Sequence, residues 1–195
     1  MTALVLASGS AIRRQILDGA GIEFDVRTSG VDEDAIKASA RDKEPSALAV
    51  QLAEAKARAV SVPDDVVVLG ADQILSLEGS LYDKASSREE ARDRLLLLRG
   101  KTHILHSGLA AVRNGQTIWT HRQNSSLTVR AFSDSFLDQY METAGDELTA
   151  SVGAYAFEGP GAQIFEKVEG DYYAILGLPL LPVLDLLRRE GVIAA

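Results

Sequence analysis

Hydrophobic positions along this chain change their period repeatedly. Leu4-Val5-Leu6-Ala7 is an unbroken apolar run, the pattern of a short buried strand, and it leads into Ser8-Gly9-Ser10. Ile12, Ile16, Leu17 and Ala20 then recur at helical spacing, with Gly21 as the stop signal. Glu23 to Thr28 reads as a second strand and Ser29 to Lys43 as a polar loop. Pro45-Ser46 opens a further helix whose apolar stripe is Leu48, Leu52, Ala55 and Ala59. Val66-Val67-Val68-Leu69 is apolar without alternation, so it belongs in the middle of a sheet, covered on both faces.

The second half adds hairpins. Gln73 to Leu81 turns at Glu78-Gly79, and His103 to Val112 returns as Thr117 to Thr120 through Asn114-Gly115, a dipeptide suited to a type I′ turn. Between them, Ser87-Arg88-Glu89-Glu90 has the form of a capping box, starting a helix that ends at Leu95 to Leu98 before Gly100. Ser133 to Thr143 reads as a helix, Gln163 to Val168 as a strand, and Pro179 to Glu190 as a closing helix before Gly191. Interleaved helices and strands with hairpins give a mixed α/β class, not a purely parallel sheet.

Composition narrows the chemistry. The chain has 195 residues, enough for one domain or one large domain folded back into two lobes. It has no cysteine, which removes disulfides, thiolate metal sites and cysteine nucleophiles together. A net charge of −8 disfavours a broad nucleic-acid or anionic-membrane surface, so any phosphate chemistry must rest on a few focused cations. The first residues, Met1 to Ser10, lack the basic start of a secretory signal. The longest apolar run, Ala174 to Leu184, spans 11 residues, short of the roughly 20 that cross a bilayer. A cytoplasmic protein is expected.

Several constellations could carry chemistry. Ser8, Ser10, Arg13 and Arg14 stand where a strand meets a helix N-terminus, a setting for phosphate oxygens, although Ser10 could equally be a simple N-cap. Asp72 falls just beyond the Val66–Leu69 run, after Gly70 and Ala71, where open α/β sheets hold ligands; the alternative is a turn aspartate. Lys56 lies about 60–80° from the centre of its helix's apolar stripe, at the rim of the buried face. Lys84 follows the first hairpin, and either lysine could be packing alone. Asp32-Glu33-Asp34 could supply oxygen ligands to Mg²⁺ or Mn²⁺, or be a solvated acidic loop. Glu158, among the glycines and aromatics of Gly153 to Gly161, is either a buried acid reading a flat ligand or a surface residue. His103 and His106, three apart on one strand, point to opposite faces and do not form a two-histidine site; His121 has no companion.

In order along the chain, Ala7-Ser8-Gly9-Ser10 leading to Arg13, Asp32-Glu33, Leu52-Ala53-Glu54-Ala55-Lys56-Ala57, Gly70-Ala71-Asp72, Lys84, Gly100-Lys101-Thr102-His103, Gly153-Ala154-Tyr155 and Gly177-Leu178-Pro179-Leu180 resemble the Maf family of nucleoside triphosphate pyrophosphatases. The resemblance runs nearly end to end and implies a single Maf-like domain over 1–195. It also implies a mixed sheet flanked by helices, with two lobes around a deep cleft as in the inosine-triphosphatase type, often in a homodimer. The implied reaction cuts the bond between the α- and β-phosphates of a nucleoside triphosphate, using Mg²⁺ or Mn²⁺. On the matching positions, Ser8, Ser10, Arg13, Lys56 and Lys84 would grip the triphosphate. Glu33 and Asp72 would serve the metal and the water, with Asp72 as proton acceptor.

The family branch acting on dTTP and UTP typically has Ser-Pro-Arg-Arg, Gly-Ala-Asp-Thr and Lys-Ala-Gly-x-Tyr followed by Gln. Here those places read Ser10-Ala11-Ile12-Arg13, Gly70-Ala71-Asp72-Gln73 and Ser151-Val152-Gly153-Ala154-Tyr155 followed by Glu158. These look more like the branch acting on 7-methyl-GTP, with Gln73 and Glu158 as base-recognition residues, because a carboxylate can accept two hydrogen bonds from guanine. Ala11 and Ala85 fit neither branch. Two alternatives stay open: a dTTP/UTP-type enzyme of the same family, and a nucleotide-binding regulator of cell division without catalysis.

Overall fold

A computed structural model describes residues 3–40 and 43–195. Met1 and Thr2, and the part of the Ser29–Lys43 reading that falls on Arg41 and Asp42, lie outside the described residues. The elements run β1 (Leu4–Ala7), α1 (Ala11–Gly19), β2 (Asp25–Val26), α2 (Glu33–Ser39), α3 (Pro45–Ala59), β3 (Val67–Leu77), β4 (Ser80–Tyr82) and α4 (Arg88–Leu98). They continue with β5 (Thr102–Arg113), β6 (Gln116–Val129), α5 (Asp134–Ala144), α6 (Glu147–Ala150), a 3₁₀ turn (Pro160–Ile164), β7 (Phe165–Glu169), α7 (Tyr172–Ile175) and α8 (Leu180–Arg189). The strands form a sheet of order β2-β1-β3-β5-β6-β7, with β4 paired to β3. It is mixed: β1 runs parallel to β2 and β3, whereas β3–β4 and β6–β7 are antiparallel. The expected mixed α/β class is the one observed.

The chain divides into two compact units. One comprises Met1–Gln73, Ser107–Gln123 and Tyr172–Ala195; the other comprises Ile74–His106 and Asn124–Asp171. In the first, alternation along β1 and β3 sends Leu4, Leu6, Val67, Leu69 and Ala71 to one face, where Leu17 of α1 and Val183, Leu186 and Leu187 of α8 cover them. Val5, Ala7 and Val68 go to the other face, against Ala57 and Val60 at the end of α3. Each fully buried leucine or valine contributes roughly 1.5–3 kcal/mol. In the second unit, Leu95 and Leu98 of α4, Leu105, Leu127 and Leu137 are buried, together with the ring of Tyr155.

Close approach of α3 to the sheet is set by glycine. A Cβ on Gly70 would lie 1.9 Å from the Ala53 carbonyl oxygen, and one on Gly108 would lie 2.2 Å from the Ala49 carbonyl carbon. The helix therefore presents Leu48, Ala49, Leu52, Ala53 and Ala57 inward. This corrects the expected stripe: Ala55 is only half-buried and Ala59 is exposed, because small residues at 49, 53 and 57 pack closest.

Other expectations shift as well. The polar loop over Ser29–Lys43 contains α2, started by the Asp32 carboxylate, which accepts from the Ala35 amide at 3.0 Å. The strand expected over Glu23–Thr28 pairs only at Asp25–Val26, and that expected from Gln163 begins at Phe165 after the 3₁₀ turn. Both hairpin turns stand as read, with positive φ at Glu78 and Gly79 and at Asn114 and Gly115. Ser87 caps α4 as expected, but the Glu90 carboxylate reaches back to Ser86 and not to Ser87.

Candidate active site

Asp72 is not beyond a strand, as the sequence suggested, but inside the continuous β3. The parallel pairing with β1 ends at Ala7 opposite Gly70, so Asp72 emerges two residues past the neighbouring strand's end. It shares a strand face with Val68 and Gly70, the face covered by α3. Lys56 sits near the middle of the buried face of α3, not at its rim, since Leu52, Ala53 and Ala57 surround it on the helical wheel. Its Nζ donates to Asp72 Oδ1 at 2.6 Å and pairs with Glu33 Oε1 at 2.8 Å. Glu33 is the first residue of α2, whose N-cap is Asp32; Asp34 is exposed.

Arg13, in the first turns of α1, donates from Nε to the Gly177 carbonyl at 2.8 Å. Its Nη1 donates to the Ala71 carbonyl at 2.9 Å and to Ser8 Oγ at 3.1 Å. Ser8 Oγ also accepts from the Ser10 amide at 3.2 Å. Ser10 holds the N-cap position without a side-chain capping bond, so its hydroxyl does not play the simple capping role. Arg14 is exposed.

Opposing fields act on the acid. Burial pushes the Asp72 carboxyl above the usual carboxylate range, while Lys56 and Arg13 pull the other way and Glu33 adds to the rise. A carboxylate raised in this way is better matched to taking a proton near neutral pH. Burial likewise works against the charge on Arg13, and the carboxylates of Asp72 and Glu33 support it. Two cations thus face two anions, and the cluster is neutral in formal charge.

Its donor set fits a hard divalent cation. The Lys56 ammonium already holds the place of a cation between two carboxylates. Mg²⁺ is commonly bound by one or two carboxylates plus substrate phosphates. Among the described residues no group of three or more His, Cys, Asp or Glu converges, so phosphate oxygens and water would complete such a site.

The remaining sequence candidates stand elsewhere. Gln73, on the opposite strand face from Asp72, donates through Nε2 to the carbonyls of Ala174 at 2.9 Å and Ile175 at 3.2 Å, and to Ser107 Oγ at 3.2 Å. Lys84 and Glu158 belong to the second unit, and both are exposed. Glu158 is therefore not the buried acid entertained from sequence. His103 is buried with Nε2 2.6 Å from the Tyr155 hydroxyl, and His106 lies between Ser76 and Asn124.

Sequence reasoning missed Ser107 and Arg94. Arg94 is buried; its Nη1 donates to the carbonyls of Asp83 at 2.8 Å and Val152 at 2.7 Å, and its guanidinium lies over the Tyr82 ring. A signal existed: Arg94 occupies a helical position in register with Ala91, Leu95 and Leu98, where an apolar residue is expected.

A strand-borne acid salt-bridged to a helical lysine, beside an arginine at a helix start, marks this as an α/β protein with a buried charged centre. The chain belongs to the Maf family, whose model, described as Maf-like protein, matches residues 3–190. It is 56% identical over 194 residues to the nucleoside triphosphate pyrophosphatase of Maricaulis maris, covering 99% of each chain. It is 43% identical to the 7-methyl-GTP pyrophosphatase of Rhizobium meliloti, covering 98% of each. A solved HAM1 protein from Coxiella burnetii matches 68% of this chain and 75% of its own at 16% identity, with a TM-score of 0.39, and carries no further argument. No helix among the described residues is long and apolar enough to cross a membrane.

Proposed function

We propose that this protein is a metal-dependent nucleoside triphosphate pyrophosphatase, releasing a nucleoside monophosphate and pyrophosphate. The observation that carries the reading is the Glu33–Lys56–Asp72 cluster, with Lys56 2.8 Å and 2.6 Å from the two carboxylates. The name of the Maricaulis maris relative supports the same reading.

Asp72 takes a proton from the attacking water, whose oxygen joins the scissile phosphoryl group while the bridging oxygen departs with pyrophosphate. Lys56, freed from part of its ion pairing when phosphate oxygens arrive, balances charge on the transferring group, as does Arg13. Ser8, Ser10 and the free amides at the start of α1 accommodate phosphate oxygens. Glu33 and Asp72 would hold Mg²⁺ or Mn²⁺, which supplies Lewis-acid neutralisation of phosphate charge. Glu158 carries a preference for guanine-type bases, a reading supported by relatives named 7-methyl-GTP pyrophosphatase.

Pyrophosphate release is measured with Mg²⁺ or Mn²⁺ across 7-methyl-GTP, GTP, dTTP, UTP and ITP, with and without EDTA. Turnover abolished by EDTA is expected, with 7-methyl-GTP preferred. A preference for dTTP or UTP keeps the reaction and overturns the base assignment. Orthophosphate release, or metal-independent turnover, overturns the mechanism.

A further inference from the structure

The reaction described above gives Arg94 no part, although this guanidinium is buried in the second unit on the inner face of α4. A leucine or methionine would fill the place beside Ala91, Leu95 and Leu98 without the cost of burying a charge. What the arginine adds is geometry. Its Nη1 carries two N–H bonds and donates to the Asp83 carbonyl at 2.8 Å and the Val152 carbonyl at 2.7 Å. Those carbonyls stand 11 and 58 positions away along the chain. Its Cζ lies 4.6 Å from the centre of the Tyr82 ring, and Nη2 is 3.7 Å from Glu90 Oε1. A planar fork held on its face and at its edge has one orientation, which a lysine does not reproduce.

Val152 lies in a turn with little freedom of its own. Ser151 Oγ donates to the Tyr155 carbonyl at 2.6 Å and accepts from the Tyr155 amide at 3.0 Å. Ala154 has φ +58°, a left-handed conformation that a residue with a Cβ keeps only where its surroundings impose it. Gly153 lies against the Tyr155 ring, and a Cβ there would overlap Tyr155 Cε1. The following bend is compact as well: the Gly159 amide donates to the Ala156 carbonyl at 3.2 Å, and a Cβ on Gly161 would crowd that carbonyl oxygen. This second bend carries the exposed Glu158. Side chains outside the first turn hold it at three points: Arg94 at the Val152 carbonyl, Tyr140 at the Ala154 carbonyl and His103 at the Tyr155 hydroxyl. Of these three, Arg94 is the one that also ties the turn to a second loop, the one that follows Tyr82.

We propose that Arg94 is a positioning residue for nucleobase selection: by holding the Val152 carbonyl it fixes the Ser151–Tyr155 turn, and through that turn the carboxylate of Glu158. The selection role rests on the reading of Glu158 as the contact for guanine-type bases; the anchoring of the turn does not. A carboxylate that accepts two parallel hydrogen bonds discriminates only while its position is held, since a small displacement lengthens both bonds together.

The test compares wild-type protein with Arg94→Met, Glu158→Gln and the double variant. Steady-state kinetics with GTP and UTP are read beside amide hydrogen exchange at Ala154 and Tyr155 of the protein alone. Expected in Arg94→Met are faster exchange at both amides, a GTP-to-UTP ratio of kcat/KM lowered about 3- to 10-fold, and kcat on UTP within about threefold of wild type. The double variant is expected to show the ratio of Glu158→Gln alone, because a residue that acts through Glu158 has nothing to position once the carboxylate is gone. Should Arg94→Met not fold, Arg94→Lys carries the same expectations, since it keeps the charge and loses the fork. Losses in ratio that multiply in the double variant, or an unchanged ratio in Arg94→Met where Glu158→Gln shifts it, overturn the proposal. An unchanged ratio in Glu158→Gln defeats the base reading and the selection role with it, while faster exchange in Arg94→Met still establishes the anchor. Unchanged exchange removes the anchor itself.

Discussion

Lys56 and Asp72 bring charge into the packed interior of one unit, with the partly exposed Glu33 beside them, whereas His103 and Tyr155 in the other are buried as a neutral pair. The charged cluster is costly to build. Lys56 and Asp72 side chains are 12% and 9% exposed, and burial alone pushes Asp72 towards its neutral form. Well-packed apolar residues in place of such a pair are often neutral or even stabilising, so stability does not account for it. The neutral pair asks less. The Tyr155 ring packs edge-on against Phe165 with centroids 4.8 Å apart, and its hydroxyl meets His103 Nε2 at 2.6 Å. Burial drives the histidine pKa down and the tyrosine pKa up, so both stay uncharged at neutral pH. A buried polar group that keeps its charge against such a cost is the better guide to function.

The largest effect tests the charged centre directly. Asp72→Asn is expected to lower kcat by about 10²–10⁴-fold while triphosphate binding and thermal stability hold. Undiminished turnover would dissolve the distinction between the two centres. Lys56→Met comes next. It leaves a buried carboxylate without its ammonium, so the acidic limb of the kcat profile moves to higher pH and stability falls by as much as about 3–5 kcal/mol. Adding Asp72→Leu to that variant should restore most of the stability and none of the turnover, read by urea denaturation beside pyrophosphate release.

The neutral pair has its own signature in pH. His103 falls from an ordinary value near 6.5 to about 4 because of burial. The unfolded chain therefore binds the extra proton first as pH drops. Stability contributed at pH 7 is lost between about 6.5 and 4, up to about 3 kcal/mol, and the slope flattens below that window. Urea midpoints at pH 7, 5.5 and 4 measure it, and His103→Phe should remove that part of the slope while costing about 1–3 kcal/mol for the stranded Tyr155 hydroxyl. Smallest is Glu158→Gln on the exposed turn. Its stability should stay within about 0.5 kcal/mol of wild type, and turnover of guanine nucleotides should fall more than that of uracil nucleotides. Equal losses on both would remove Glu158 from base recognition.

What the amino-acid pattern revealed divides along the same physical line. Leu4–Ala7, Val67–Leu69 and the turns at Glu78-Gly79 and Asn114-Gly115 were legible because apolar runs and positive-φ dipeptides are local signals. Helix α2 was not, since none of its residues is buried and its only strong signal is the Asp32 cap. Residues Ser8, Arg13, Glu33, Lys56 and Asp72 could be named in advance, but their assembly could not be read. Lys56 meets Asp72 because Gly70 and Gly108 draw the alanine face of α3 onto the sheet, a long-range fit that no periodicity encodes. The partners of Gln73 were not legible for the complementary reason: Ala174 and Ile175 lie about a hundred positions away in the chain.

The interleaving of the two units has a consequence for how the protein is made. The chain passes from one unit to the other four times, at 73/74, 106/107, 123/124 and 171/172. Leu6 and Leu69 share a core with Val183, Leu186 and Leu187 of α8, which lie far later in the chain. A nascent chain therefore cannot close the first unit until α8 has been made. A premature stop before α8 would leave that apolar face open to chaperones and proteases, so incomplete copies would be cleared instead of persisting as partly folded forms.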